Sequence, residues 1–122
     1  LQYLSIMGPQ LVAGIRTGTF DGAAWGAAVA AAAAKDFDGI CAELAKLSDL
    51  YATEVGKFSE ADFGEEMDFF GQKHSRGYHM VNLVASGHAA YRTQLFCYLK
   101  SNGRDELNTY NLWGGVDGEM AA

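Results

Sequence analysis

The chain is poor in the residues that carry specialised chemistry or special backbone geometry. It holds one proline and two cysteines in 122 residues, and its nine Lys and Arg are outnumbered by fifteen Asp and Glu. Cys41 and Cys97 lie far apart with no Cys-x-x-Cys partner, which excludes a thiol redox motif and a zinc knuckle. Both fall in apolar segments of helical period, so buried, reduced thiols are expected, as in a cytoplasmic protein. A net charge of −6 and a pI near 4.8 leave no basic surface for a phosphate backbone, and nucleic acid is excluded as a partner. The longest run of low polarity, Gly22 to Ala34, has 13 residues of mostly Ala and Gly. A membrane-spanning helix needs roughly 20 strongly apolar residues, so no membrane association is expected. The run is also internal, unlike a signal peptide. Fifteen glycines form no Gly-x-Ser-x-Gly elbow, no phosphate-binding loop and no dinucleotide fingerprint.

What is present is a globular composition, 49% hydrophobic and 20% charged. It fits one all-α domain over residues 1–122, with 104–122 as a C-terminal tail. Leu1, Leu4, Met7, Leu11 and Ile15 trace one face of a first helix that begins with the chain, and upstream residues are expected before Leu1. Pro9 predicts a kink near Met7 and Gly8 or a restart of that helix. Asp36 to Phe58 reads as a second helix capped by Asp36, with Phe37, Ile40, Cys41, Leu44, Leu47, Tyr51, Val55 and Phe58 on its apolar face. Ala27–Ala34 either extends it backwards, or Asp21–Ala34 forms a short helix of its own. Ser59–Lys73 reads as a solvated acidic loop whose Phe69 and Phe70 fold back onto the core. A last helix starts at Ser75, ends near Asn102 before Gly103, and has Met80, Val84, Gly87, Tyr91, Leu95 and Tyr98 on its inward face.

The stretch from Gly87 to Gly103 contains Arg92, Gln94, the run Tyr98-Leu99-Lys100 and a terminal Gly, and Tyr110 follows seven residues later. In this it resembles the last helix of the DinB-like proteins, over about residues 75–112. That resemblance implies an up-and-down four-helix bundle, with the family's first helix upstream of Leu1 or replaced by Asp21–Ala34. It also places Gly87 and Tyr91 where the family carries two metal-binding histidines, and Leu1-Gln2-Tyr3-Leu4 over the third. None of these positions is a histidine.

His79 and His88 are nine residues apart, on opposite sides of an α-helix, and cannot chelate one ion together. Arg92, one turn after His88, disfavours a cation there. No cofactor is therefore expected, the alternative being a divalent transition metal such as zinc or nickel. Each histidine is expected at the surface or hydrogen-bonded within the structure. The polar and aromatic residues left as a candidate ligand cleft are Tyr3, His88, Tyr91, Arg92, Gln94 and Tyr110, with no catalytic set among them. Three functions follow: a DinB-like protein without the metal site that binds a small molecule in its cleft, a metal-dependent thiol S-transferase-like enzyme, or a non-catalytic interaction module. The resemblance and the apolar content imply a homodimer.

Overall fold

The structure, a computed structural model, describes residues 1–117; the end of the expected tail, 118–122, lies outside the described residues. Helix is the dominant element, and no described helix is long and apolar enough to cross a membrane. Contacts divide the chain into two compact units, Leu1–Gly87 and His88 onward.

The first unit is organised around α1, Gln2–Thr17, which packs against α2, α3 and α4. Its helix runs through Pro9 without a restart, and ends at Gly18, whose φ of 80° lets the N–H reach the Gly14 carbonyl at 2.8 Å. Met7, Val12 and Ile15 are its buried apolar positions, while Leu1 is exposed. The Ala-rich stretch is a separate helix, α2, Gly22–Ala33. Asp21 caps it, one carboxylate oxygen accepting from the N–H groups of Ala23 and Ala24, each at 2.9 Å.

Asp36 caps the next helix as expected, through Gly39 N–H at 2.9 Å. The segment is not one helix to Phe58, however, but α3, Phe37–Ala45, and α4, Leu47–Val55. They divide at Lys46, where the amide bonds three residues back to Glu43 and the ammonium meets the Glu43 carboxylate at 3.1 Å. Cys41 is exposed, and so is Cys97 in the second unit, which corrects the expectation of buried thiols: a place in a helical pattern did not put either on the covered face.

The acidic segment is folded. A Ser59/Asp62 capping box opens α5, Glu60–Gly64, and a hairpin of β1, Glu66–Phe69, and β2, Gln72–Ser75, follows. The strands are antiparallel, Glu66 opposite Ser75 and Phe69 opposite Gln72. Phe70 and Gly71 make the turn with φ of 55° and 74°, the pair of positive values that matches strand twist in a two-residue hairpin. Glu66-Met67-Asp68-Phe69 alternates charged and apolar, so Phe69 turns inward and is 3% exposed. Phe70, at the tip, stays 58% exposed, so only one of the two phenylalanines folds back into the core.

Ser75 caps the last helical run by accepting from Tyr78 N–H at 3.2 Å. That run is α6, Arg76–His79, then a π-helical turn, Met80–Ala85, then α7, Ser86–Ser101. Val84 joins Val12, Ile15 and Phe69 in the core, with Leu11, Phe20, Tyr51, Met67 and Met80 packed around them. A π turn absorbs one more residue than an α turn, so an inward face drawn at α spacing from Met80 loses phase. Tyr98, the last of that face, is 59% exposed.

Candidate functional site

In the second unit, α7 ends in a Schellman motif. Gly103, at φ 92°, has its N–H on the Lys100 carbonyl at 3.2 Å, and Arg104 N–H returns to Leu99 at 3.1 Å. The Lys100 ammonium donates to the carbonyls of Asp105 and Leu107 at 3.0 and 2.9 Å and fixes the turn that follows. A final helix, α8, Thr109–Gly114, opens on a capping box of Asn108 and Asn111 and stops at Gly115. The Asn111 amide also donates to the Val116 carbonyl at 3.1 Å, holding the chain after α8 against the helix.

Between α7, the turn and α8 lies an open cavity of about 330 Å³. One wall is Arg92, Leu95, Phe96 and Leu99, the i, i+3, i+4, i+7 stripe of a single helix face. Leu107, Leu112 and Val116 close it from the other side. Arg104 stands at its edge with two carboxylate partners: it bonds Glu106, and reaches Asp117 at 2.9 Å. These hold the Arg104 guanidinium above its ordinary pKa and the Glu106 carboxyl below its own. Arg92 also lines the cavity, its Nη1 lying 3.9 Å from where a side chain on Gly115 would begin. Among the described residues no carboxylate stands at ion-pair distance from it.

Of the six residues expected to form a cleft, Arg92 alone lines this cavity. Tyr3 belongs to the first unit, where its ring meets Trp25 edge-on at 5.6 Å beside a shallow depression of about 430 Å³ that includes Lys35 and Asp36. Gln94 is exposed and donates to the Tyr98 hydroxyl at 3.5 Å. Tyr110 lies 40% exposed on α8, and Tyr91 and His88 are half-buried on α7.

Burial pushes the His88 imidazole below its ordinary pKa of 6.5. The charged form is thus favoured in the unfolded chain. Stability should be complete above the ordinary value, decline as pH falls through it toward the depressed folded value, and then level off. His88→Gln is expected to flatten that decline. Denaturant midpoints between about pH 7 and pH 5 check it, and an unchanged slope in the variant would assign the decline elsewhere.

Gly87 has a local reason to be glycine. A Cβ on Gly87 would meet the Met7 sulfur and methyl at 3.0 and 3.1 Å, and Met7 is fully buried. Among the described residues no three His, Cys, Asp or Glu side chains converge to hold a metal ion.

A second cluster escaped the sequence reading. His79 is 2% exposed, with its ring 5.9 Å from both Phe69 and His74, 5.8 Å from Tyr78, and its Nε2 without a hydrogen-bond partner. One turn earlier the Arg76 Nε is also buried and unpartnered, although its Nη2 reaches Glu65 at 3.2 Å. A surface or hydrogen-bonded His79 was expected; the hairpin, which brings Phe69 and His74 over it, is the reason it is neither. The spacing His74-Ser75-Arg76-Gly77-Tyr78-His79 was the available signal. No family profile, curated protein or solved structure matches the chain.

Proposed function

We propose that this chain is a non-catalytic, DinB-like protein of four-helix-bundle descent that binds a small molecule in the cavity of its second unit. The observation that carries the reading is the stripe Arg92, Leu95, Phe96 and Leu99, an apolar wall with one cationic end facing a cavity of about 330 Å³, the size at which ligand pockets begin. The same helix and the glycine that ends it carry the residues on which the family resemblance rests, Arg92, Gln94, Tyr98-Leu99-Lys100 and Gly103. Gly87 packed on Met7 and the non-histidine Tyr91 favour binding over metal-dependent transfer. Self-association as a two-fold dimer belongs to the same reading, supported by Trp113 at 73% exposure near the exposed Tyr110.

A fragment screen observed by NMR tests it. Apolar and amphipathic fragments are expected to shift the amides and methyl groups of Leu95, Leu99, Leu107 and Leu112, and Leu95→Trp, which fills the cavity, should abolish the response. Shifts that map elsewhere, or that survive Leu95→Trp, would remove the cavity as the site.

A further inference from the structure

The geometry points to an amphipathic organic anion, a medium-chain carboxylate, as the ligand of this cavity. The inference rests on the binding reading above and names the chemical class that the reading leaves open. Leu95, Phe96, Leu99, Leu107 and Leu112 offer a surface that selects a hydrocarbon chain. The polar groups around them are mostly engaged. Asn111 spends its amide on Val116 and its carbonyl oxygen on Asn108, and Arg104 is shared between Glu106 and Asp117.

Arg92 differs. It opens the apolar stripe, its guanidinium lies beside a glycine with no side chain to cover it, and the described carboxylates leave it unpaired. A planar, permanently charged fork at the end of a hydrocarbon groove matches a carboxylate head in both charge and shape. A cationic head would be repelled by Arg92 and would find the two nearby carboxylates already occupied by Arg104. A neutral hydroxyl could accept one bond from the guanidinium but would forgo the opposite charge and the bidentate fit of a carboxylate.

Calorimetric titration of the whole chain with octanoate, 1-octanol and octylammonium separates the possibilities, the three probes sharing a chain and differing in head group. Octanoate is expected to bind about tenfold or more tighter than octanol, the increment of a hydrogen bond to a charged group, and octylammonium most weakly. Arg92→Met should remove the preference for octanoate over octanol, while Arg92→Lys keeps part of it. Circular dichroism of both variants confirms the fold. Octanol binding as tightly as octanoate, or a preference that persists in Arg92→Met, overturns the anion assignment and leaves small-molecule binding intact. Binding of none of the three overturns both.

Discussion

Phe69→Ala is expected to destabilise the first unit by about 3–5 kcal/mol, the cost of deleting a large buried aromatic side chain whose surroundings cannot fully collapse. Phe69 is 3% exposed, packs with Val12, Ile15 and Val84, and makes ring contacts with Phe70 at 4.4 Å and His79 at 5.9 Å. It is also the one side chain through which the hairpin enters this core cluster of buried residues. Its loss should therefore release the hairpin as well as open a cavity. Equilibrium denaturation measures the first effect, and the chemical-shift dispersion of Glu66–Ser75 reports the second. A loss under about 1 kcal/mol would mean that Phe69 does not hold the core.

Gly14→Val should cost about 1–3 kcal/mol, the usual range for overpacking a core. A Cβ at Gly14 would stand 2.8 Å from the Phe69 Cζ and 3.2 Å from its Cε2, on a buried face of α1. The strain is directed at one ring, so a smaller side chain at 69 should relieve it. The double variant Gly14→Val with Phe69→Leu is expected to be more stable than the sum of its parts predicts, with a coupling of about 0.5–3 kcal/mol. Strict additivity would show that α1 and the hairpin do not meet at this point.

Caps and stops were legible in the sequence because their chemistry is local. Asp36 and Ser75 accept the amides expected of them, and Gly103 ends α7 with the positive φ that glycine tolerates. Helical content was likewise readable from the apolar period, although the four-helix arrangement suggested by the family resemblance remains part of the proposal. The hairpin was hidden by composition: four acidic residues in Glu65–Asp68 and Asp62 read as a solvated loop, while the decisive alternation of Met67 and Phe69 spans only a four-residue strand. The division of α3 from α4 depends on a single amide choosing a nearer carbonyl, a difference too small for periodicity to register.

The candidate site was less legible for a specific reason. Arg92 was identified by its charge within a matching frame, but of its cavity partners Leu95, Phe96 and Leu99 only Leu95 lay on the inward face drawn in α phase across Met80–Ala85. Sequence alone does not announce a π turn. Nor does it reveal that His79, seven residues before the start of α7, is covered by a hairpin that was read as loop.

The second unit has a thermodynamic character of its own. Among its described residues only Leu107 and Asn111 are buried, and α7 contributes no buried side chain. Little apolar contact then opposes its local opening, and its amide protons belong at the fast-exchanging end of the molecule, far from the rates of Val12 and Ile15. A ligand that bridges α7 to α8 would add its binding free energy to the opening of this unit alone. Occupancy would thus be written into the exchange rates of one part of the chain while the other kept its own clock.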